Sequence, residues 1–378
     1  MTLMATVTKP ILLDSTGQEI LVALKDIKTA IASGKAPEAT TWRDVQANVR
    51  NGLAGDLYPA NTKFAVFKCA SAASKGAYLK YYLDVVGHDK HFLIRHGAKT
   101  ADHSMSLQVH ELFNETMQFD AAEDQYGLSL DEAVVAWKTY YSDTSGTVVP
   151  SPSGSPKDNG YYERNDATEY PRSTYGSNNW RHSALRKWLN ANRNVAAGSW
   201  WSRTTPFDKA PSYSSYLPFQ ALLADDSQGA DCTLLDVIGP VTINTSLNNI
   251  KNPDNADYYL DCDANGEYSV ASRLSYDTTE DTFFLPSTKE IHCSTYNEQD
   301  GVLLDYYERF SDYADPISAW SVSDRNLMKH YQNSASSAWG WLRSPFVGRA
   351  GHVFVADGRV YGNDAVDGYG VAPLCVIY

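Results

Sequence analysis

The densest group of potential metal ligands in the sequence is a set of histidine and aspartate residues between positions 88 and 103. The set consists of His88, Asp89, His91, His96, Asp102 and His103. Imidazole and carboxylate groups are common ligands of zinc and related metals. The spacing matches no helical ligand pattern such as HExxH, and Lys90 stands among the candidates. The pattern therefore favours a solvated loop, with a metal site as the alternative.

A second group, at residues 261–266, resembles the start of a calcium-binding loop. Asp261, Asp263 and Asn265 would place oxygen ligands at positions 1, 3 and 5, and Gly266 follows at position 6. Position 12 is Ser272, where such a loop requires a bidentate glutamate. The pattern favours a turn over a calcium site, and we predict neither a metal nor a cofactor.

Signals for catalysis are weak throughout the chain. The sequence contains no GxSxG elbow, Walker loop or dinucleotide-binding glycine pattern. The acidic pairs at 225–226 and 280–281 could act as glycosidase carboxylates, but solvated faces are the favoured interpretation. Tryptophans at 200, 201, 339 and 341 could stack on sugars, although a core position is favoured for them. We therefore predict no catalytic residue.

A β-hairpin signal lies near the C-terminus. Asp-Gly at 357–358 is a strong two-residue turn signal, and Val353 and Val355 alternate with other residues before it. The register that follows pairs Val355 with Val360, Phe354 with Tyr361, and Ala356 with Arg359. This register predicts that the valines face the core and that the other side, including His352, is exposed.

The composition of this region is restricted. From Ser344 to the end there is no Lys, Glu, Gln, Met or Trp, although the rest of the chain uses all five. Every residue present can be encoded by a codon ending in C or T. Randomising the first two bases of asparagine codons would produce such a set. Chance in a short, Gly-rich strand region is the alternative explanation.

Several motifs around this region resemble a known family. They are Trp-Leu-Arg-Ser-Pro at 341–345, a stretch containing Asp-Gly at 357–358, and Gly-Val-Ala-Pro at 370–373. They resemble the C-terminus of the C-type-lectin-like variable proteins, which diversity-generating retroelements mutate and which include the phage major tropism determinant. Blocks at 117–120, 179–190, 205–208 and 281–287 extend the resemblance in order along the chain.

The resemblance implies an α+β, C-type-lectin-like fold with a small twisted antiparallel sheet, long loops and an N-terminal helical segment. Residues 1–58 would form an attachment and oligomerisation segment, and 59–378 a ligand-binding domain with a hypervariable region at about 344–370. The implied ligand contacts are Phe346, Gly348, Arg349, Gly351, His352, Phe354, Ala356, Arg359, Tyr361, Gly362, Asn363, Asp364, Val366, Asp367 and Tyr369. The Glu-Pro-Asn and Gln-Pro-Asp triplets of calcium-dependent sugar binding are absent.

Local patterns predict the elements that support such a site. A capping box beginning at Thr41 predicts a helix over 41–51. Apolar spacing from Trp180 to Leu189 predicts a second helix, capped by Asn178 or Asn179. Strands are predicted at 64–67 and 81–86, and a Ser-, Pro- and Gly-rich surface loop at 144–160.

An apolar repeat near the N-terminus predicts oligomerisation. Leu13, Ile20, Leu24, Ile27 and Ile31 follow spacings of seven, four, three and four residues. This is a short heptad seam, from which we predict a homo-oligomer. We expect a trimer, because three-stranded assemblies are common in tail fibres. An amphipathic helix packed on its own chain is the alternative.

Composition limits the remaining function classes. The formal net charge of −13 argues against nucleic acid or an anionic membrane as the main partner. The 25 tyrosines and 9 tryptophans suit either a recognition surface or an aromatic core. Five cysteines without a CxxC pair indicate buried thiols rather than a disulfide framework or zinc site. We also predict no signal peptide and no membrane insertion.

Three functions remain, of which the first is favoured. It is host-receptor binding, to a cell-surface protein or glycan, by a phage or prophage tail protein that is made in the bacterial cytoplasm and assembled with other tail components. The second is an enzyme acting on cell-wall glycans on a lectin-like fold. The third is a structural fibre module without a ligand.

Overall fold

A computed structural model of the chain describes seventeen stretches of residues. They are 41–70, 78–92, 94–95, 98–99, 101–113, 115–121, 180–181, 183–202, 209–224, 232–246, 276–292, 300–308, 329, 331, 338–345, 352–356 and 360–378. The predicted heptad seam at 11–33, the loop at 144–160 and the calcium-like loop at 261–266 lie outside these residues.

Short strands and shorter helices alternate along the described residues. The strands are β1 (Lys63–Ala70), β2 (Tyr78–His88), β3 (Ile94–Arg95), β4 (Ala98–Lys99), β5 (Met105–Val109), β6 (Met117–Gln118), β7 (Leu223–Ala224), β8 (Val241–Ser246), β9 (Tyr276–Asp281), β10 (Gly340–Pro345), β11 (His352–Ala356), β12 (Val360–Asp364), β13 (Gly368–Tyr369) and β14 (Leu374–Ile377). The helices are α1 (Trp42–Arg50), α2 (Ala54–Leu57), α3 (Ala184–Asn190), α4 (Phe219–Leu222) and α5 (Asp305–Glu308), with a 3₁₀ turn at Leu234–Asp236.

The strands form small antiparallel sheets. The largest has the order β14-β5-β2-β1-β7, so the last strand of the chain pairs with one formed near residue 105. A second sheet has the order β10-β11-β12, and three further pairs are β13-β6, β3-β4 and β8-β9. The protein is therefore of mixed α+β class, as predicted, and the predicted strands at 64–67 and 81–86 fall within β1 and β2.

Helix α1 begins where its capping box predicted. The Thr41 hydroxyl oxygen accepts a hydrogen bond from the Asp44 backbone N–H at 3.1 Å, which caps the first turn of the helix. The helix buries Trp42, Val45 and Val49 in the core that also holds the large sheet. Residues 42–57, which the sequence pattern places in an N-terminal segment, thus pack within the same core as the strands.

Helix α3 starts later than the apolar spacing predicted. Its N-cap is Ser183, whose side chain accepts from the Arg186 N–H at 3.1 Å, rather than Asn178 or Asn179. Trp180 precedes the helix in a turn and is completely buried. The serine caps the helix because its extended backbone directs the hydroxyl at the first turn.

Aromatic rings fill much of the core. Trp42, Trp180, Trp188 and Trp341 are among its largest buried side chains, and Phe219 contacts several neighbouring rings. Within the described residues, the high aromatic content therefore serves the interior. Among these same residues there is no helix of the length and apolarity that crossing a membrane requires.

Candidate functional site

The predicted C-terminal hairpin is formed by β11 and β12. Its register differs from the prediction by one residue: Ala356 pairs with Val360, and Val355 pairs with Tyr361. The pairing leaves a three-residue connection, 357–359, instead of a two-residue turn. Since a one-residue shift exchanges the two faces of a strand, two predicted groupings are wrong: Val360 is grouped by register with Ala356 and not with the other valines, and Tyr361 is grouped with Val355 and not with Phe354.

The structure describes the predicted contact residues to different extents. Gly362, Asn363, Asp364, Val366, Asp367 and Tyr369 are all partly or fully exposed. His352, Phe354, Ala356 and Tyr361 lie on the paired strands, with only their backbone described. Phe346, Gly348, Arg349, Gly351 and Arg359 lie outside the described residues. The second half of the predicted patch thus runs along the molecular surface from β12 to β13.

We call residues 362–370 the surface segment. Residues that lie between the predicted contact positions attach this segment to the core. Val353 and Ala365 are completely buried. The Ala365 carbonyl accepts from the Asp120 N–H at 3.0 Å, and the Val366 carbonyl accepts from Gln118 Nε2 at 2.8 Å. β13 also pairs with β6. The surface segment is therefore attached to residues 117–120 by backbone groups, which leaves most of its side chains free to differ.

Trp341 lies beneath this segment. It is buried, and its indole N–H donates to the Met117 carbonyl at 2.6 Å. Its ring meets Tyr369 edge to face at 4.8 Å between centroids and packs against Phe119 at 5.7 Å. The core position favoured for this tryptophan is thus confirmed. The Tyr369 ring rests directly on it, so one predicted contact residue is supported by the motif strand β10.

Gly370 allows β10 to approach the end of the surface segment closely. Its N–H donates to the Trp339 carbonyl at 2.9 Å, and its own carbonyl accepts from the Trp341 N–H at 3.0 Å. A side chain at this position would overlap Leu112. A glycine is therefore required here for close packing.

The arginine of the same motif forms a buried ion pair. Arg343 and Glu290 are both fully buried, and the guanidinium donates two parallel hydrogen bonds to the carboxylate, at 2.5 and 2.6 Å. The same nitrogens donate to the Leu285 carbonyl at 2.7 Å and the Asp300 carbonyl at 2.8 Å. One side chain on β10 thereby holds two separate loops together.

His91 completes this network from the other side. Its Nε2 lies 2.9 Å from Glu290 Oε1, and its Nδ1 lies 2.8 Å from the Ser106 hydroxyl on β5. A carboxylate only accepts, so Nε2 carries the proton in that contact. His91 is 5% exposed, so the prediction of a solvated loop is wrong at this residue. Its partner Glu290 is 199 positions away, which is why local spacing gave no signal.

Gly301 completes the enclosure of the ion pair. It has φ of +114°, a conformation that residues with a side chain rarely adopt. A Cβ atom there would also overlap the carboxylate of Glu290. Both observations indicate a position at which only glycine fits.

The ion pair of Glu290 and Arg343 makes the free energy of unfolding depend on pH. Burial alone would raise the pKa of Glu290, but Arg343 and His91 lower it from 4.5 to about 2. The contribution to stability is therefore complete above about pH 4.5 and is lost as the pH falls toward 2. We expect the free energy of unfolding to fall by about 3 kcal/mol from this group over that interval. Urea titrations at a series of pH values measure it; an unchanged difference between wild type and Glu290→Gln across the range would contradict it.

A second buried carboxylate is Asp281. Its oxygens accept from Arg186 Nε at 2.7 Å, Trp180 Nε1 at 2.9 Å and the Thr279 hydroxyl at 2.6 Å. The residue is completely buried, so the prediction of a solvated face is wrong for Asp281. Its neighbour Glu280 is exposed. Asp281 joins helix α3 to strand β9, and the block resemblances at 179–190 and 281–287 meet at this contact.

The other histidine candidates are spread over the surface. His88 contacts Asp305 Oδ2 at 3.1 Å and the Tyr58 carbonyl at 2.9 Å, while the exposed His103 lies 3.2 Å from Asp89. His96 lies outside the described residues. Nowhere in the described ranges do three His, Cys, Asp or Glu side chains converge as a metal site requires.

The tryptophan and cysteine candidates also differ in their degree of burial. Trp200 is buried and stacks on Tyr213, whereas Trp201 is half-buried with the Lys187 ammonium 4.6 Å from its ring centre. Cys232 and Cys375 are buried free thiols, as predicted. The side chain of Cys69, the cysteines at 262 and 293, and the acidic pair at 225–226 lie outside what the structure describes.

A small cavity lies behind β10. Its volume is about 30 Å³, which is room for a water molecule or two and too little for a sugar ring. Gln108, Tyr307, Lys329 and Trp341 contribute to its lining. A ligand as large as a sugar would therefore not fit in this cavity.

These features define an α+β protein in which the C-terminal sheet is joined to the core by a buried polar network of Arg343, Glu290 and His91. Residues 157–378 match the domain of unknown function DUF6273, and because this is more than half of the chain, the protein belongs to that family. No curated protein matches the chain. No solved structure matches it either. The folded unit extends beyond the residues that match the family. β14 lies within the match and pairs with β5, which precedes it, and both strands belong to one core with β1 and β2.

Proposed function

We propose that this chain is a receptor-binding tail protein of a phage or prophage, with a C-type-lectin-like fold and a C-terminal surface diversified by a retroelement. Its ligand is a protein or glycan on the host cell surface. The small antiparallel sheets and the pairing of the last strand with an early one agree with a lectin-like fold.

One observation carries the proposal. Val353 and Ala365, which the resemblance assigns to the constant scaffold, are completely buried. The six predicted contact residues whose side chains are described, between Gly362 and Tyr369, are all at least partly exposed. This is the division that a diversified surface needs, because substitutions at exposed positions have little effect on stability.

The buried network supplies the rigidity that such a surface requires. Arg343 and Trp341 belong to the motif carried over from the family, and both hold β10 to distant parts of the chain. Changes in the hairpin side chains would leave these contacts intact. A preorganised surface also loses less conformational entropy on binding.

The test is a combined substitution in the hairpin. We expect His352→Ala, Phe354→Ala and Arg359→Ala together to abolish binding to host cells, since aromatic and arginine side chains dominate binding energy and one anchor contributes about 2 kcal/mol. The melting temperature should stay nearly unchanged. Flow cytometry with labelled protein on a panel of bacterial species measures binding, and calorimetry measures stability.

The matched control is Tyr82→Ala, which removes an exposed tyrosine on β2, away from the hairpin. It should leave binding unchanged. Retained binding by the triple variant, or a large fall in its melting temperature, would count against the proposal. Turnover of cell-wall glycans by the purified protein would favour the enzyme alternative. The predicted trimer through 11–33 stays part of the proposal and is measured by light scattering.

A further inference from the structure

Five ionisable side chains lie around the end of β5 and the neighbouring middle part of β2, at a distance in sequence from the hairpin. They are Lys63, Asp84, His110, Glu111 and Lys329. Neither the resemblance nor the proposed function involves them. Their arrangement is unusual because the buried carboxylate at the centre is incompletely paired.

Asp84 is the centre of this group. It is 2% exposed, and its Oδ2 accepts from His110 Nδ1 at 2.7 Å. Lys329 Nζ lies 3.8 Å from the same oxygen. The other oxygen, Oδ1, is buried with no hydrogen-bond partner. A buried carboxylate oxygen without a hydrogen-bond partner is costly, so half of this carboxylate gains nothing from its surroundings in the folded protein.

Lys329 approaches Asp84 from the segment that leads to β10. Its ammonium donates to the Val109 carbonyl at 2.9 Å, and its side chain is only 15% exposed. Burial lowers the pKa of Lys329, more than the carboxylates of Asp84 and Glu111 raise it. A lysine whose pKa is lowered by burial is a good nucleophile, because more of it is in the neutral form.

Glu111 supplies a second unpaired carboxylate oxygen. Its Oε2 is buried and has no hydrogen-bond partner. It follows His110 directly, and its charge acts on Lys329. A carboxylate whose charge acts on an amine can accept a proton from it, which is the task of a general base.

We propose that Lys329 and Asp84 join in an intramolecular isopeptide bond, with Glu111 and His110 carrying the protons. The geometry that points to it is the pairing of a largely buried amine with a buried, half-unpaired carboxylate beside a second one. This inference is independent of the proposed receptor binding.

The reaction is a condensation that needs no other reagent. Glu111 takes a proton from the Lys329 ammonium, and the lone pair of Nζ attacks Cγ of Asp84. The bond between Cγ and Oδ2 then breaks, and the departing oxygen receives one proton from His110 Nδ1 and the proton that Glu111 had taken, which completes a water molecule. The second proton lost by Nζ restores His110, and the third remains as the amide N–H. Glu111 and His110 return to their starting states, and the net charge is unchanged because the ammonium and carboxylate charges cancel.

The bond would connect the large sheet to the start of the hairpin sheet. The Lys329 carbonyl accepts from the Ala338 N–H at 3.0 Å, two residues before β10. Leu112, which follows β5, forms a bridge with Tyr331. A covalent link between Asp84 and Lys329 would therefore fix the position of Lys329, which precedes β10, relative to the large sheet. It would also close a long loop in the unfolded chain.

Mass spectrometry of the intact wild-type protein tests the proposal. We expect a mass lower than the sequence mass by one water molecule. A tryptic digest should contain residues 81–90 joined to residues 326–343 through Asp84 and Lys329. A wild-type mass equal to the sequence mass, with residues 81–90 recovered as a free peptide and normal cleavage after Lys329, would overturn the proposal, and this result does not depend on any variant folding.

Variants identify the residues responsible. Lys329→Arg and Asp84→Ala should each restore the full mass, and Glu111→Gln should leave most of the protein uncross-linked. Lys90 and Asp305 provide a control within the same chain, since they are closer, at 2.8 Å, but more exposed. They should remain unlinked. A joined peptide from Lys90 and Asp305, or a water loss that persists in Lys329→Arg, would show that the loss arises elsewhere.

Discussion

Replacement of Glu290 by alanine is expected to lower the free energy of unfolding by about 3–5 kcal/mol, a large part of the stability of an ordinary domain. The substitution removes the carboxylate that pairs with Arg343 and leaves a guanidinium completely buried. The Leu285 and Asp300 carbonyls would still accept hydrogen bonds, but they cannot neutralise its charge. His91 would lose its contact with Glu290 and keep the one with Ser106. Urea unfolding followed by tryptophan fluorescence measures the change.

The matched control is Glu308→Ala. Glu308 also pairs with a cation, Lys90 at 3.3 Å, but its side chain is 53% exposed. A pair in contact with water contributes at most about 1 kcal/mol, so this variant should be close to wild type. Similar losses in the two variants would mean that burial does not strengthen the Glu290 pair. A loss below about 1 kcal/mol for Glu290→Ala would show that Arg343 reaches water when unpaired.

The second large effect is expected for Trp341→Ala, at about 3–5 kcal/mol. The substitution removes a buried ring from contact with Phe119 and Tyr369 and leaves the Met117 carbonyl without its donor. Because Tyr369 rests on this ring, the surface segment beside β13 should also lose its order. Thermal unfolding measures stability, and hydrogen exchange of residues 362–370 measures the local effect.

Two variants separate the contributions at this position. Trp341→Phe keeps a ring and removes the indole N–H, so it should be intermediate between wild type and alanine. Trp201→Ala serves as the control, since Trp201 is only half-buried and should be less affected. Equal losses for Trp341→Ala and Trp201→Ala would contradict the assignment of Trp341 as the support of the segment.

Elements that depend on neighbouring residues could be predicted from the sequence. The capping box at Thr41 and the apolar spacing after it predicted α1, because a helix cap involves residues only three positions apart. The turn signal at 357–358 and the alternating valines predicted the hairpin. The register was wrong by one residue, since the pairing of Ala356 with Val360 leaves a three-residue connection. Turn type and register are set jointly with the sheet that receives the hairpin.

The buried polar contacts could not be predicted in the same way. His91, Asp281 and Arg343 were interpreted from their immediate surroundings, yet their partners are 53 to 199 positions away in the chain. A histidine among aspartates and lysines has the local composition of a solvated loop. It becomes a core residue only when another loop brings Glu290 against it.

The sequence by itself determined the first helix, two strands of the large sheet and the existence of the C-terminal hairpin, because capping, periodicity and turn chemistry act within a few residues, while the α+β class was implied by the family resemblance. The tertiary structure alone decided the hairpin register, the start of α3, the inward position of His91 and Asp281, and the meeting of Asp84 with Lys329. Each of these depends on the cost of burying a charge or a backbone group, and that cost is set by partners that only folding brings together.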